Sequence, residues 1–241
     1  MPIRSVSTSI ATTTIPAHAV VQDATETTAK LSLHDQQEIR LLGDAERQLA
    51  SGTIVVGEHH DQAAAREFAM MLIDHGCVSD LYLEFPDLSS DTFGGDPNQR
   101  FSEYLNGLDA SQVRSDAIFQ DFSDACAAIT GALANSMPLP QFIAYAKEHG
   151  VRVHLIDNAI PTARSSADKL IERNLGMGAC FHEVGSATKP KGLILVGANH
   201  CDLGRSDSIP SICGIAEQAV YDLSQPDHSN ASEGWLRPAP T

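Results

Sequence analysis

Two short segments of the chain place histidine and carboxylate side chains directly after a run of apolar residues. TIVVGEHHD (53–61) and LILVGANH (193–200) share a glycine followed by two residues and a histidine. A glycine lets the backbone turn sharply and approach a ligand, and an imidazole acts as a general base or as a metal ligand. A nearby carboxylate fixes the tautomer of the imidazole and raises its basicity. In the first segment we therefore rank His60 first, Glu58 second and His59 third as reactive groups.

Further candidate groups also follow short apolar segments. They are Asn199 and His200 in the second segment, Glu84 in LYLEF, and Asp157 at the end of VRVHLID. In an open parallel sheet the carboxyl ends of the strands meet at one edge, and ligands bind there. We therefore expect four separate segments to bring a carboxylate or an imidazole to the same edge. Asn174 lies on an apolar helical stripe, so it needs either a buried structural partner or a hydrogen bond into this site.

Strand-like apolar segments alternate with helix-like segments along the chain. Apolar residues at helical spacing predict helices over 38–52, 61–76, 140–150 and 167–185, and a short strand-like segment follows each of them. This alternation predicts an α/β fold with a mostly parallel central sheet flanked by helices. The stretch 88–137 interrupts the pattern, and we interpret it as a helical insertion after the second strand that forms one wall or a lid of the site.

The two ends of the chain differ in composition from its middle. Residues 1–33 are rich in serine and threonine, so we expect a disordered leader, a single α/β domain over 34–224 and a flexible tail over 225–241. The leader resembles those of bacterial type III secreted effectors. It predicts a bacterial protein that either stays in the cytoplasm or is secreted into a host cell.

Charge and composition exclude several classes of partner. The formal net charge is −15 and the isoelectric point is near 4.9, so the surface would repel the phosphates of a nucleic acid. The apolar runs are far shorter than the roughly 20 residues that span a bilayer. Five cysteines without a CxxC pair argue against a disulfide framework and against a structural zinc site.

Several residues also have a structural interpretation that the sequence leaves open. Asp61 is either part of the site or the N-cap of the helix that follows it. Glu84 is either a site residue or the buried partner of an arginine. We interpret His75 and His154 as structural, and Cys201 as a semi-buried thiol rather than a nucleophile.

The paired segments resemble the superfamily that joins the TIKI/TraB proteins, ChaN-type haem-binding lipoproteins, erythromycin esterases and a domain of Pasteurella-type toxins. The shared marks are the two G-x-x-H segments, an acidic residue after the second strand, here Glu84, and an R-N-x-x-M helix, here Arg173–Met177. The G-E-x-H form of the first segment is most similar to the esterase and ChaN branches. The chain is shorter than a typical erythromycin esterase, so the resemblance implies a site rather than macrolide hydrolysis.

The resemblance implies a hydrolase of the esterase or metal-dependent protease type, acting on a small molecule or a peptide. The expected catalytic groups are His60, Glu58, Glu84, His200 and Arg173, and the expected binding groups are Asp157, Asn199, Asn174 and His59. Either His60 activates water directly, or a divalent metal (Mn, Co or Zn) held by His60, His200 and Glu84 does so. The alternative is a ChaN-like protein that binds haem or iron, with Tyr82 and Tyr104 as candidate axial ligands.

Overall fold

The computed structural model describes residues 33–85, 97–130, 137–158, 162–185 and 191–224. Within these residues five strands form one sheet in which every pairing is parallel. The strands are β1 (Thr53–Glu58), β2 (Asp80–Leu83), β3 (Arg152–Leu155), β4 (Gly192–Gly197) and β5 (Val220–Asp222). Their order across the sheet is β3-β2-β4-β1-β5. The predicted α/β fold with a parallel central sheet is confirmed.

Helices cover both faces of this sheet. They are α1 (Leu33–Ser51), α2 (Ala64–Asp74), α3 (Pro97–Gly107), α4 (Ala117–Thr130), α5 (Leu139–Glu148), α6 (Ser166–Gly185) and α7 (Ile209–Cys213), with 3₁₀ turns at Ala110–Ser115, Ala198–His200 and Glu217–Ala219. One face packs against α1 to α5, and the other packs against α6 and α7. Alternate residues of β1 and β4 enter the two cores, which is why both strands are nearly continuous apolar runs.

The connections that follow the neighbouring strands β1 and β4 lie on opposite faces of the sheet. From β1 the chain passes through α2 to β2, whereas from β4 it passes through α7 to β5 on the other side. A crevice therefore lies between the carboxyl ends of β1 and β4, and such a crevice is where open parallel sheets bind ligands. Both G-x-x-H segments of the sequence begin at these two strand ends.

The two ends of α2 differ in how they are capped, and the N-cap interpretation of Asp61 is wrong. Gly76 follows the helix with φ of 67°, the left-handed conformation that ends many helices and that glycine adopts without strain. Asp61, however, does not cap the start of α2. The N-cap position is Ala63, without a side-chain hydrogen bond, and Asp61 contacts His59 instead. Because the helix begins at Ala64, Asp61 lies too early in the chain to cap it.

The predicted helical insertion after the second strand is confirmed, and α3 at its start covers the outer edge of β3. Three polar side chains of α3, spaced four residues apart, form hydrogen bonds with the backbone of the edge strand. Asn98 Nδ2 donates to the Asp157 carbonyl (2.8 Å), and Ser102 Oγ accepts from the Leu155 amide (2.8 Å). Asn106 donates to the Val153 carbonyl (2.7 Å) and accepts from the Val153 amide (2.9 Å). Four helical residues rise about 6 Å and two strand residues about 6.6 Å, so the two spacings match. The side chains take the place of a neighbouring strand and protect the edge from pairing with another chain.

Replacing Ser102 with alanine tests this edge contact. The amide of Leu155, a buried residue, would lose its partner, and an unsatisfied buried donor costs about 1–3 kcal/mol. We expect Ser102→Ala to lower the free energy of unfolding by that amount in urea titrations. The control Ser115→Ala removes an exposed hydroxyl and should change it by less than about 0.5 kcal/mol. Equal effects of the two substitutions would show that the edge contact contributes nothing.

The sequence also led to expectations about the two chain termini, about membrane-spanning helices and about disulfide bonds. The predicted leader (1–33) and tail (225–241) lie outside the described residues, apart from Leu33 at the start of α1. Among the described helices, none combines the length and the apolar character that crossing a membrane requires. All five cysteines are free thiols.

Candidate active site

The first group of the site joins Glu58, His60 and Arg66. Glu58 ends β1 with its side chain only 6% exposed, and His60 follows in the turn before α2 with its side chain 52% exposed. His60 Nδ1 lies 2.8 Å from Glu58 Oε1. Because an ionised carboxylate only accepts hydrogen bonds, Nδ1 carries a proton, and in the neutral ring Nε2 keeps its lone pair. This is the arrangement of a general base oriented by a carboxylate.

The surroundings of this group favour an ionised glutamate and a basic imidazole. Burial by itself would raise the pKa of Glu58, but hydrogen bonds from His60 and Arg66 outweigh it, so the pKa lies below its ordinary value. The pKa of His60 is raised, mainly by its hydrogen bond to Glu58 and further by the charge of Glu84. A raised pKa makes the imidazole a better proton acceptor.

The second group is centred on Glu84, which follows β2. Its carboxylate, 5% exposed, accepts hydrogen bonds from Arg173 Nη2 (2.5 Å) and from the Gly197 amide (2.6 Å), and it lies 3.1 Å from His200 Nε2. Burial opposes ionisation, but His200, Arg173 and the Gly197 amide outweigh it and lower the pKa of Glu84 to about 2. Glu84 is therefore the buried partner of an arginine and also lies among the groups at the carboxyl edge, so the two interpretations of the sequence are compatible.

Asp157 completes the second group at the end of β3. Arg173 donates to it through Nε (3.1 Å) and Nη2 (2.5 Å), so one guanidinium holds the carboxylates that follow two adjacent strands. Burial raises the pKa of Asp157 despite this contact, and the neighbouring charge of Glu84 adds to the increase. The position of Arg173 is thus fixed by two carboxylates.

Asn174 is the buried partner that orients His200. Its Nδ2 donates to the Asp207 carbonyl (2.7 Å), which fixes the orientation of the amide, and its Oδ1 contacts His200 Nδ1. Nδ1 of His200 is therefore a donor, and its Nε2 faces Glu84. Both ring nitrogens of His200 therefore have protein partners, Asn174 at Nδ1 and Glu84 at Nε2.

Gly197 is where the two groups meet. A Cβ atom at this position would lie 3.0 Å from His60 Nε2 and 3.3 Å from Glu84 Oε2, so a side chain there would crowd both groups. Gly57 has a matching role, since its Cβ would lie 3.2 Å from Cys201 Sγ and 3.5 Å from Ala198 Cα. The glycines of both segments therefore allow the two strand ends to approach each other closely.

The low pKa of Glu84 predicts a specific dependence of stability on pH. A carboxyl whose pKa falls from 4.5 unfolded to about 2 folded contributes stability above pH 4.5, on the order of 3 kcal/mol, and this is lost as the pH falls towards 2. Asp157, with a raised pKa, acts in the opposite direction, so the test must compare variants. We expect the difference in unfolding free energy between wild type and Glu84→Gln to shrink between pH 4.5 and 2. The control is Glu67→Gln, at an exposed position, for which the difference in unfolding free energy from wild type should not change over this pH range. A difference that also stays constant for Glu84→Gln would contradict the lowered pKa of Glu84.

Several predicted residues lie apart from these two groups. His59 is exposed and contacts Asp61, and Asn199 is exposed, so neither takes part in the two groups described. Cys201 is buried, and burial raises the pKa of its thiol well above the ordinary range, which agrees with a buried thiol rather than a nucleophile. His154 bonds Asp80 at the amino end of the sheet, in keeping with a structural role.

The structure does not support the two tyrosines as axial ligands of haem. Tyr82 is 2% exposed, with its ring stacked on His154 and packed edge-on against Phe181. The hydroxyl of Tyr104 donates to Asp116 at 2.6 Å within the insertion. Tyr82 thus packs within the core, and the hydroxyl of Tyr104 is held within the insertion.

The expected metal set of His60, His200 and Glu84 is not assembled as a group of ligands. Among the described residues no group of three or more His, Cys, Asp or Glu side chains could hold a metal ion. The ring nitrogens of His200 contact Asn174 and Glu84, and the carboxylate of Glu84 is held by Arg173 and Gly197. A metal ion would have to displace these protein partners.

Arg66 belongs to the first group and is not among the residues that the sequence predicted. It lies in α2, buried, and contacts Glu58 through two nitrogens. A signal was present in the sequence, since Arg66 lies on the same helical stripe as Ala69 and Ile73, which are buried. An arginine on an apolar stripe needs a buried anionic partner.

A cavity of about 620 Å³ lies away from these groups. Its lining includes Gly52, Thr53, Tyr82 and Phe181. Thr53 is the first residue of β1, whereas Glu58 is the last, so the cavity opens at the amino edge of the sheet and the titratable groups lie at the carboxyl edge.

Comparison with known proteins gives little further information. Neither a protein-family model nor a curated protein matches the sequence. Among solved structures, that of the type III effector HopBA1 is similar to the chain, with a TM-score of 0.42 and 16% sequence identity over 62% of this chain and 67% of that one. Similarity at this level supports no conclusion about activity.

Proposed function

We propose that the protein is a hydrolase in which His60, oriented by Glu58, activates a water molecule. The observation that carries this proposal is the contact of 2.8 Å between Glu58 and His60 Nδ1, on a half-exposed ring whose other nitrogen lies beside Gly197. A buried carboxylate, an accessible imidazole and a crevice between strand ends are the parts that general-base hydrolysis needs.

The reaction would proceed by two proton transfers at one nitrogen. His60 Nε2 takes a proton from water while the water oxygen bonds to the carbonyl carbon of an ester or amide, and Glu58 stabilises the imidazolium that forms. When the bond to the leaving oxygen or nitrogen breaks, the imidazolium returns the proton to that atom. Arg173, 27% exposed, is the cation nearest to Glu84 and Asp157, and it would stabilise the negative charge on the carbonyl oxygen.

The metal-free version of this mechanism is the one that the contacts favour, because the polar atoms of Glu84 and His200 already have protein partners. The purified full chain should hydrolyse members of a panel of p-nitrophenyl esters and chromogenic peptides, with the same rate before and after EDTA treatment. Turnover of neither class would contradict the hydrolase proposal. Loss of turnover with EDTA and recovery with Mn, Co or Zn would replace the metal-free version with the metal-assisted one.

We also propose that the Ser/Thr-rich leader directs the protein into a host cell. The support for this proposal is the composition of residues 1–33 alone. Fusing these residues to a reporter enzyme in a bacterium with a type III secretion system should produce reporter activity inside host cells. A fusion of residues 34–66 to the same reporter is the control, and equal delivery of both fusions, or of neither, would contradict the proposal.

A further inference from the structure

Arg66 makes three contacts that fix its guanidinium group. Its side chain is 6% exposed. Nε donates to Glu58 Oε2 and Nη2 donates to Glu58 Oε1, each at 2.9 Å, and Nη1 donates to the carbonyl of Met137 at 2.7 Å. A bidentate arginine–carboxylate pair fixes the carboxylate in one plane and one direction. The third contact is made where the chain returns from the helical insertion, just before α5.

The clamped oxygen of Glu58 is the same atom that contacts His60. Oε1 accepts from Arg66 Nη2 and also faces His60 Nδ1. If the carboxylate rotated or were protonated, this oxygen would no longer accept reliably from Nδ1. The position of the ring proton follows the hydrogen bond that the ring makes, so Nε2 is unprotonated only while Glu58 stays in place.

We propose that Arg66 is a positioning residue that holds His60 as the Nδ1–H tautomer, with the lone pair of Nε2 directed towards the reacting water. Arg66 acts through Glu58, since its guanidinium donates to Glu58 and to the carbonyl of Met137. The inference rests on the proposed function for its catalytic consequence, but the tautomer itself is measurable without any substrate.

The test reads the tautomer by NMR. Long-range ¹H–¹⁵N spectra of the full chain, with the His60 signals assigned by their absence in His60→Gln, distinguish a protonated ring nitrogen from an unprotonated one. At a pH where the ring is neutral, wild type should show a protonated Nδ1 and an unprotonated Nε2. Arg66→Met and Arg66→Lys should both shift the ring proton of His60 towards Nε2, because neither side chain can form the bidentate pair with Glu58. The shift should be smaller in Arg66→Lys, because its ammonium keeps the positive charge.

Two features keep this test informative. Arg66→Met leaves the buried carboxylate of Glu58 without its arginine partner, so this variant could fail to fold. In that case the tautomer of His60 is measured in Arg66→Lys, which retains a cation beside Glu58. Arg152→Met is the control, since Arg152 belongs to another arginine–carboxylate–histidine group, with Asp80 and His154, at the amino edge of the sheet. It should leave the tautomer of His60 and the activity unchanged.

Kinetics provide the second reading once an ester or peptide substrate is known. Loss of orientation should lower kcat by about 10²-fold in Arg66→Met with KM unchanged, and Arg66→Lys should recover part of the loss. If folded Arg66→Met and Arg66→Lys keep the wild-type tautomer, the proposal is overturned, whatever their activity. If wild type has no hydrolytic activity, the proposed function fails, and the NMR result still decides whether Arg66 fixes the tautomer.

Discussion

Replacing His60 with glutamine is expected to lower kcat by about 10²–10⁴-fold, the range that a positioned general base contributes. The substitution removes the nitrogen that would accept a proton from water. It should leave the fold intact, because the side chain of His60 is 52% exposed. Initial rates on the most rapidly hydrolysed ester or peptide, with circular dichroism as a check of folding, give the comparison.

The neighbouring histidine provides a matched control. His59 is exposed to a similar degree and also contacts a carboxylate, that of Asp61, but it has no contact with the two groups at the strand ends. His59→Gln should therefore retain the wild-type kcat. A loss at His59 as large as that at His60 would contradict the assignment of the base, and full activity of His60→Gln would exclude His60 from the chemistry.

The largest effect on stability is expected from Arg173→Met. This substitution leaves Glu84 and Asp157 buried without the guanidinium that joins them. Breaking a buried ion pair by removing one partner costs about 3–5 kcal/mol, because the remaining charge stays desolvated. Urea unfolding at pH 7 measures the loss of unfolding free energy. The loss should become smaller as the pH is lowered, because the pKa of Asp157 is raised and its protonation removes one of the two buried charges.

A surface arginine provides the control for this measurement. Arg205 forms a bidentate pair with Asp207 that is about one third exposed. Arg205→Met should cost no more than about 1 kcal/mol, as exposed ion pairs do. If Arg173→Met destabilises the protein by no more than Arg205→Met, Arg173 does not hold the second group together.

The sequence was sufficient to predict the parts of the site that depend on local pattern. β1 and β4 are apolar runs with Gly57 and Gly197 at their carboxyl ends, so parallel strand direction brings both G-x-x-H segments to the same edge of the sheet. That the two strands are neighbours, with Glu58 opposite Gly197, is shown by the structure. Glu84 lies one residue beyond β2, at the same edge. The carboxyl-edge position of these residues is a consequence of strand direction, which hydrophobic alternation with helices already indicates.

Contacts between distant elements were not predictable from one sequence. The pairing of Arg66 with Glu58 depends on the packing of α2 beside β1. In the same way, the edge contacts depend on the packing of α3 along β3, and they are made by Asn98, Ser102 and Asn106. Asp61 was open to misinterpretation because a cap depends on where the helix starts, which is the least certain feature of a sequence pattern. The division of work between His60 and His200 also required the structure, since it depends on Asn174 and the orientation of its amide.

The central claim is that Glu58 and His60 act as one unit, and a double-mutant comparison tests it most directly. Rates of wild type, Glu58→Gln, His60→Gln and the double variant are measured on the same substrate. If the two residues form one catalytic unit, the double variant should be no slower than His60→Gln alone, because losses within a unit do not multiply. A double variant whose rate falls by the product of the two single losses would contradict the account.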